Sequence, residues 1–343
     1  MAFLNLPNIN RLKIDHRNLR AFAILALFFG FLASAAGVVV SGRLAKANRA
    51  NELLISRICA ECDLDRVDLA NANLERAKLE NATLRESDLS GANLKKANLN
   101  RAILSSADLS LANLNDAELD EAILNQADLT DASLNGTDLG GAYLGDAILE
   151  RAQFVNADLS DGNLARANLH QANLRDADLG DVNLSRANLQ FADLRRTDLG
   201  GSDLDNADLS GANLARANLP RADLNHAILT HANLQDANFG SANLSLTNLT
   251  NTDLSRAYLG EADLSGANLS GAILVTTNLA RANLTNASLV GANLSGANLR
   301  RADLTGADLT NADLSTAKFC KTKMPDGSIV NTDCAILTNT SVN

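Results

Sequence analysis

A large apolar residue recurs at every fifth position from Leu64 to Phe319, and no insertion or deletion shifts the register. Forty-nine of these 52 positions are leucine, and the others are Phe154, Phe239 and Phe319. The residue two places earlier is small, being alanine in 41 units, and the residue directly before the leucine is Asn or Asp in 38. A repeat this short and regular constrains the backbone path of three-quarters of the chain.

A period of five fits neither a helix nor a flat strand. Five helical residues advance about 500°, or about 140° past a full turn, so the leucines would spread around a helix without forming an apolar stripe. Inward positions of a flat strand recur every two residues, whereas the position two after the leucine is mostly Arg, Gly, Asp or Asn. The chain must therefore turn once per unit, which predicts stacked coils of short strands whose backbones pair at about 4.8 Å.

Units such as Ala-Asn-Leu-Ser-Gly (292–296) and Ala-Asp-Leu-Thr-Gly (302–306) resemble the pentapeptide-repeat family. The resemblance covers residues 62–321. It implies the family's fold, an all-β solenoid in which a right-handed quadrilateral parallel β-helix takes four pentapeptides per coil. The 52 units then make about 13 coils, with a stacked length of about 60 Å. Burying each axial leucine contributes on the order of 1.5–3 kcal/mol to folding.

An uncharged apolar segment, residues 21–40, follows a basic leader, residues 1–20. Twenty helical residues span about 30 Å, the thickness of a bilayer core, so the segment is predicted to be a transmembrane helix. Two interpretations stay open. An uncleaved anchor uses the full length of the segment, whereas a cleaved signal peptide fits the basic leader and the small residues Ala33-Ser34-Ala35.

The repeat is bounded by two predicted caps. Residues 41–61 are predicted to be a helical N-cap and linker, because Leu44, Ala47 and Leu54 follow helical spacing. Such a helix would cover the leucines and strand edges of the first coil. At the other end the turn signal Met324-Pro325-Asp326-Gly327 breaks the repeat, and residues 322–343 are predicted to be a C-terminal cap and tail.

All four cysteines lie at these ends, as Cys59, Cys62, Cys320 and Cys334. A Cys-x-x-Cys pair with two further cysteines can form a zinc site, but the whole solenoid separates the two pairs, which excludes one site within a single chain. Two disulfides, 59–62 and 320–334, are the preferred prediction and would suit an oxidising compartment. Reduced cap thiols and a redox-active Cys59/Cys62 pair are the alternatives.

The net charge of −10 is unevenly divided. Residues 1–57 carry eight basic and two acidic side chains, whereas the repeats, residues 62–321, carry 21 basic and 35 acidic ones. An acidic solenoid lacks the basic footprint of an ordinary nucleic-acid-binding protein, so no direct nucleic-acid contact is expected. The resemblance leaves a different role open, because some pentapeptide-repeat proteins inhibit DNA gyrase by presenting an acidic rod of DNA-like dimensions.

Folding the repeat at 20 residues per coil stacks the outward residues before each leucine into four ladders. One ladder begins Asp63, Thr83, Ile103, Ile123, Tyr143, and its neighbour begins Asp68, Asp88, Asp108, Asp128, Ile148. Ile103, Ile123, Tyr143 and Ile148 form a candidate interaction strip, since exposed apolar runs mark contacts. The alternative is that β-branched ladders stabilise the coils directly. A further ladder carries four successive acids, Asp138, Asp158, Asp178 and Asp198.

No sequence feature indicates an enzyme, a cofactor or a metal site. His226 and His231 lie at successive corners without an evident third ligand, and a solenoid with a filled axis offers no cleft. The sequence favours a non-enzymatic, membrane-tethered or exported scaffold that presents a rigid acidic rod to an unidentified protein partner. A DNA-mimicking inhibitor of gyrase or another DNA-binding protein is the alternative function.

The expected location follows from the resemblance rather than from the residues. The family is abundant in cyanobacteria, where several members resemble exported proteins. It implies a single-pass membrane protein, attached through residues 21–40, whose repeat domain is periplasmic or thylakoid-lumenal. Secretion after signal cleavage is the alternative, and a homo-oligomer also stays open.

Overall fold

The computed structural model describes residues 35–334, with side chains from residue 45 onward. The chain divides into two compact units, Met1–Ala45 and Lys46–Asn343, and the second contains the repeats. The regular elements are helix α1 (Ala35–Ser56) and two short strands, β1 (Thr322–Lys323) and β2 (Ile329–Val330). Between α1 and β1 the backbone consists of single-residue bridges and corners.

The solenoid is a continuous stack of parallel bridges from Ile58 to Lys323. Every bridge joins residues 20 apart, for example Ile103 and Ile123, so four pentapeptides complete one coil. The Leu104 N–H donates to the Ile123 carbonyl in the following coil at 2.7 Å, and the Ile103 N–H donates to Ala82 in the preceding coil at 2.9 Å. Each unit therefore bonds both neighbours, which confirms the predicted β-solenoid.

The axis of the solenoid is filled by the five-residue leucine column. Leu189 is fully buried, and Ala187 two places earlier is almost as inaccessible. Phe154 and Phe239 are also fully buried. Where a buried threonine replaces alanine, its hydroxyl finds a backbone acceptor: Thr137 Oγ1 donates to the Leu114 carbonyl at 2.8 Å. That bond offsets the cost of burying a polar group in the core.

Each corner residue, two places after the leucine, has a left-handed backbone. The φ angle is 58° at Arg101 and 60° at Arg166. Asn, Asp and Gly tolerate this region best, and β-branched residues tolerate it poorly. Two causes therefore favour the Gly, Asp and Asn found at many of these corners: the left-handed backbone and the exposure of the corner to solvent.

Arginines at seven corners pair with an acid at the same corner of an adjacent coil: Arg66–Glu86, Arg101–Glu121, Arg151–Asp131, Arg166–Asp146, Arg196–Asp176, Arg256–Asp236 and Arg281–Glu261. Arg166 donates from Nε and Nη2 to the two oxygens of Asp146 at 2.7 and 2.5 Å. The Arg166 guanidinium holds the pKa of the Asp146 carboxyl below its ordinary value. These pairs are exposed, so each contributes modestly and is screened by salt.

Helix α1 covers the first coil with its C-terminal half. Leu53 is fully buried and Ala50 nearly so, while Lys46 Nζ lies 2.6 Å from Asp63. Helix α1 includes residues 35–40 of the segment predicted as a membrane helix, because no proline separates them from residues 41–56. It ends at Ser56, before the predicted limit at residue 61, since the Cys59 N–H already donates to Lys78 of the first coil.

Both predicted disulfides are present. Cys59 is bonded to Cys62 before the first coil, and Cys320 is bonded to Cys334 after the last. No cysteine of the described chain is free. The loop that the second bond closes contains β1 and β2, which pair antiparallel with Thr322 opposite Val330.

Most of the predicted membrane segment, residues 21–34, lies outside the described residues, as do the leader and residues 335–343. Residues 35–40 are helical and belong to α1. Within residues 35–334, no helix combines the length and apolar character needed to cross a bilayer.

Truncating an axial leucine should destabilise its coil. We expect Leu189→Ala to lower the free energy of unfolding by about 2–5 kcal/mol, because it leaves a cavity. Leu189→Asp should cost more, since it also buries a carboxylate. Urea unfolding followed by far-UV circular dichroism measures both. Gln171→Asp, at an exposed corner, is the control and should leave the transition unchanged; equal stability of all three variants would contradict the axial assignment.

The corner pairs should produce a pH-dependent stability difference. The lowered pKa of Asp146 means that its pairing with Arg166 stabilises the fold above the unfolded-state pKa, about 3.9. The stability gap between wild type and Arg166→Gln should therefore be full near neutral pH and close as the pH falls through the lower folded-state value. Thermal unfolding across this range measures the gap. Arg186→Gln, one coil along the same corner, is the control, and a gap independent of pH would count against the pairing.

Candidate interaction surface

The candidate strip lies on two adjacent faces of the solenoid. Ile103, Ile123 and Tyr143 form consecutive bridges on one ladder, so their side chains follow one another at about 4.8 Å. Ile148 comes five residues after Tyr143, on the next face, where it pairs with Asp128 and Asn168. The structure thus places three of the four residues side by side and the fourth across one corner. We call these four residues the apolar strip.

The apolar strip is accessible to solvent to different degrees. Tyr143 is 48% exposed and Ile148 41%, whereas Ile103 and Ile123 are half-buried. In the described part of the chain the Tyr143 hydroxyl makes no hydrogen bond, so it is available to a partner as a polar group beside an apolar ring. An amphipathic ring of this kind is common in protein interfaces.

An acidic column borders the apolar strip on the preceding face. Its members form consecutive bridges, and all are exposed: Glu118, Asp138, Asp158, Asp178 and Asp198. Asp138 is separated from Tyr143 by the single corner Gly140-Gly141. The backbone N–H of Gly140 donates to Asp138 Oδ1 at 3.1 Å, and Gly180 donates to Asp178 Oδ1 at 2.9 Å.

One carboxylate oxygen of each of these aspartates thus accepts a hydrogen bond from a backbone N–H of the following turn, as Asx side chains commonly do. Ser160 and Gly200 donate in the same way to Asp158 and Asp198. Among the described residues no arginine or lysine forms an ion pair with the column, because the corner arginines pair with corner acids instead. The second carboxylate oxygen remains free to meet a partner.

The acidic column lies in an acidic band, residues 102–210, which the total charge of the repeats does not show. Residues 102–210 contain six basic and 20 acidic side chains, whereas residues 62–101 contain seven of each and residues 211–321 eight of each. The whole excess of acid in the repeats therefore lies in the middle coils. The signal was present in the sequence, and a count by coil instead of by domain would have found it.

Other exposed apolar side chains include large residues at the corners. Phe191 lies at a corner, 59% exposed, and packs edge-on to His170 at 5.7 Å between ring centres. A Cβ added to Gly211, one coil later, would lie 2.6 Å from the Phe191 ring, so the ring covers that glycine. Leu246 covers Gly266 in the same way. Sequence reasoning did not single out these residues, although a large apolar residue at a corner position was a visible exception.

The remaining polar candidates do not converge on a chemical site. His226 Nδ1 lies 3.8 Å from Asp205 Oδ1. Across residues 35–334, no group of three or more His, Cys, Asp or Glu side chains is placed to hold a metal ion.

Comparisons with known proteins bear on the fold and family. The family model described as "Pentapeptide repeats" matches the chain over residues 60–319. A search of curated proteins found no match.

Among solved structures, the chain is similar to HetL, a pentapeptide repeat protein involved in heterocyst differentiation regulation from the cyanobacterium Nostoc sp. strain PCC 7120. The two sequences are 36% identical, and the match covers 73% of this chain and 92% of HetL at a TM-score of 0.27. It is also similar to QnrB1, a plasmid-mediated fluoroquinolone resistance protein, with 17% identity over 69% and 92% at a TM-score of 0.34. A pentapeptide repeat protein from the Arabidopsis thaliana thylakoid lumen shares 29% identity over 32% and 69%, at a TM-score of 0.24.

The family match covers the repeat without a gap. The bridges at 20-residue spacing agree with four pentapeptides per coil. The chain therefore belongs to the pentapeptide-repeat family, whose fold is a right-handed β-helical solenoid.

Proposed function

We propose that this chain is a non-enzymatic scaffold that presents the apolar strip and the acidic column to a protein partner. The repeat domain would contain about 13 coils and extend for about 60 Å. The observation that carries the proposal is the adjacency of Tyr143, 48% exposed, to a column of acids that have no basic partner among the described residues.

The chemistry of the surface specifies the kind of partner. Covering Ile103, Ile123 and Tyr143 removes apolar area from water, which favours association. The neighbouring acids attract lysine and arginine and steer their approach. A partner segment that combines apolar side chains with basic ones fits both columns, whereas nucleic acid would be repelled.

The solenoid presents this surface with little conformational freedom. The N–H of Ile123 donates to Ala102 and that of Tyr143 to Ala122, both at 2.9 Å, so the strip lies on hydrogen-bonded backbone. A surface that is already ordered loses little entropy on binding. The free energy of burial is then available for affinity.

We further propose that residues 21–40 attach the protein to a membrane and that the repeats lie in the periplasm or thylakoid lumen. The 20-residue uncharged segment matches the thickness of a bilayer core. Two disulfides are consistent with an oxidising compartment. Cleavage after the small residues at 33–35, with secretion of the repeats, is the alternative within this proposal.

A DNA-mimicking inhibitor of gyrase or another DNA-binding protein is the second candidate. The acidic band of residues 102–210 favours it, because a long acidic surface can occupy a DNA-binding site. The disulfides oppose it, since structural disulfides are rare in the cytosol. The two candidates differ in the role of the apolar strip, which has no counterpart on a DNA backbone.

Arginine substitutions in the strip should abolish partner binding without unfolding the solenoid. Ile103→Arg/Ile123→Arg should reduce the partner recovered by in-cell crosslinking and affinity purification at least about tenfold, as expected for two residues at the centre of an interface. The matched control is Asn163→Arg/Asn183→Arg, which places the same charges farther along the same ladder. Thermal unfolding should be the same for both variants.

Equal recovery from both double variants would contradict the docking role of the strip. If purified wild type inhibits DNA supercoiling by gyrase, and Ile103→Arg/Ile123→Arg does so equally, the second candidate is favoured.

Membrane attachment predicts a specific fractionation pattern. The full chain should sediment with membranes, withstand carbonate extraction and be released by detergent, because an apolar helix holds it. Protease added from the cytoplasmic side should leave the repeat domain intact. The mass of the N-terminal peptide distinguishes an anchor, which retains residues 1–40, from a cleaved signal. Recovery as a cytosolic protein with four free thiols would contradict both tethering and export.

A further inference from the structure

The ladder that contains the acidic column ends in a lysine. Beyond Asp198 its bridges pass through five uncharged residues and reach Lys318 in the last coil. The corner that follows this face adds further cations over the final three coils. We call the following residues the basic end: Arg281, Arg300, Arg301, Lys318 and Lys321. One face of the solenoid therefore carries acids in its middle coils and cations in its final coils.

Most of the charge of the basic end is not neutralised within the chain. Arg281 pairs with Glu261 at 2.6 Å, whereas the other four cations form no ion pair with any residue that the structure describes. Attraction to Arg300 and Lys318 also acts on Asp333 of the C-terminal cap, which offsets one of these four charges. The basic end thus remains positive.

We propose that two copies of this chain pair antiparallel through this face, with the basic end of each copy against the acidic column of the other. The two-fold axis crosses the face at Asn238. The proposal deepens the proposed function, because it rests on the docking role of the acidic column and names a basic partner for it. A parallel pair is disfavoured, since it would bring each acidic column against its own copy.

The register follows from the spacing of charges in coils. Asp158 and Lys318 each lie four coils from Asn238, on opposite sides, so the antiparallel partner brings them together. Two-fold symmetry forms each such contact twice. The exposed corner residues repeat the complementarity in three pairs: Asp161–Lys321, Asp181–Arg301 and Arg221–Glu261.

Neighbouring registers are less complementary. Sliding the second copy by one coil in either direction loses the pair between Arg221 and Glu261, and in one direction it places Arg221 opposite Arg281. Juxtaposed like charges oppose association. Charge therefore selects the register centred on Asn238.

The two edges of this face differ. Arg216 and Arg256 both act on Asp236 at the edge away from the apolar strip, and the register would place these two arginines opposite each other. That edge adds no attraction. The contact is therefore expected along the edge that carries the three corner pairs.

The edge with the corner pairs has low relief. Positions 180, 200, 240 and 260 are glycine, and glycine allows a partner to approach the backbone closely. The Tyr258 ring lies over two of them, since a Cβ added to Gly240 would be 2.9 Å from Tyr258 Cε1. The ring therefore lies along the edge and does not hold a partner away from it.

The contact leaves the apolar strip accessible. Glu118 and Asp138, with Ile123 and Tyr143 across the following corner, lie beyond the last repeat coil of the second copy. The paired region, from Asp158 to Lys318, is about 38 Å long and one short strand wide. Such an interface is small and dominated by charge, so we expect a weak dimer that high salt dissociates.

Charge reversal on the full chain tests the pairing. Sedimentation velocity in a nonionic detergent, at low and high salt, measures the dimer dissociation constant of the wild type and two variants. Asp158→Lys/Asp161→Lys and Lys318→Glu/Lys321→Glu should each raise it at least about tenfold, because each places like charges together. Thermal unfolding checks that both variants fold.

Mixing the two variants is the decisive measurement. Each variant alone opposes like charges, whereas a dimer of one with the other restores opposite charges at both ends. We therefore expect the mixture to recover the wild-type dissociation constant. The control is Asp108→Lys/Asp128→Lys, which makes the same change of net charge on another face and should dimerise as the wild type does.

The outcomes separate this inference from the docking role of the apolar strip. A wild type that stays monomeric, association that neither reversal weakens, or a mixture that does not recover overturns the antiparallel pair. Ile103→Arg/Ile123→Arg lies outside the contact and should dimerise normally. If that variant also keeps its partner while the mixture recovers, the docking role of the strip fails and the pair stands.

Discussion

The backbone bond between one coil and the next depends on every unit being five residues long. The Leu104 N–H reaches the carbonyl of Ile123, and the same step of 19 residues recurs along the solenoid. One inserted residue would break that register and turn a leucine from the axis to the wall. The filled axis, the outward ladders and the left-handed corners all follow from this single condition. Residue type therefore varies at the outward positions, whereas the axial positions are always Leu or Phe.

Much of the architecture could be predicted because the period leaves few alternatives. The pairing of Ile103 with Ile123 follows from the four pentapeptides per coil that the family resemblance implied. The two disulfides were expected because the cysteines lie in two pairs at opposite ends of the repeat. The continuity of α1 across residue 40 was not predicted, since the sequence was divided there into an apolar segment and a cap, although neither a proline nor a capping residue separates the two. The sequence analysis did not identify the corner pairs, which form because side-chain reach favours an acid at the same corner one coil away, as for Arg166 and Asp146.

The sequence predicts which residues form the candidate surface, but not how exposed each of them is. Stacking by 20 residues identifies the apolar strip, whereas its exposure depends on neighbouring side chains that the repeat does not specify. Phe191 shows the difference, because it is more exposed than Tyr143 yet covers Gly211 and has an evident structural role. Exposure alone therefore does not identify a docking residue. Among the described residues, the side chains of the apolar strip cover no glycine in this way, and the strip borders acids without a basic partner.

The positions of the disulfides have a consequence for how the solenoid comes apart. In a linear array, an interior coil is held by two neighbours and a terminal coil by one, so fraying begins at the ends. Cys59–Cys62 and Cys320–Cys334 cross-link the chain within those two ends, at sequence separations of 3 and 14, and so reduce the conformational freedom that each end gains when it frays. Both bonds therefore restrict fraying at the places where the unfolding of a linear array begins. Persistence against proteases would then be a kinetic property of the molecule, set by its two extremities.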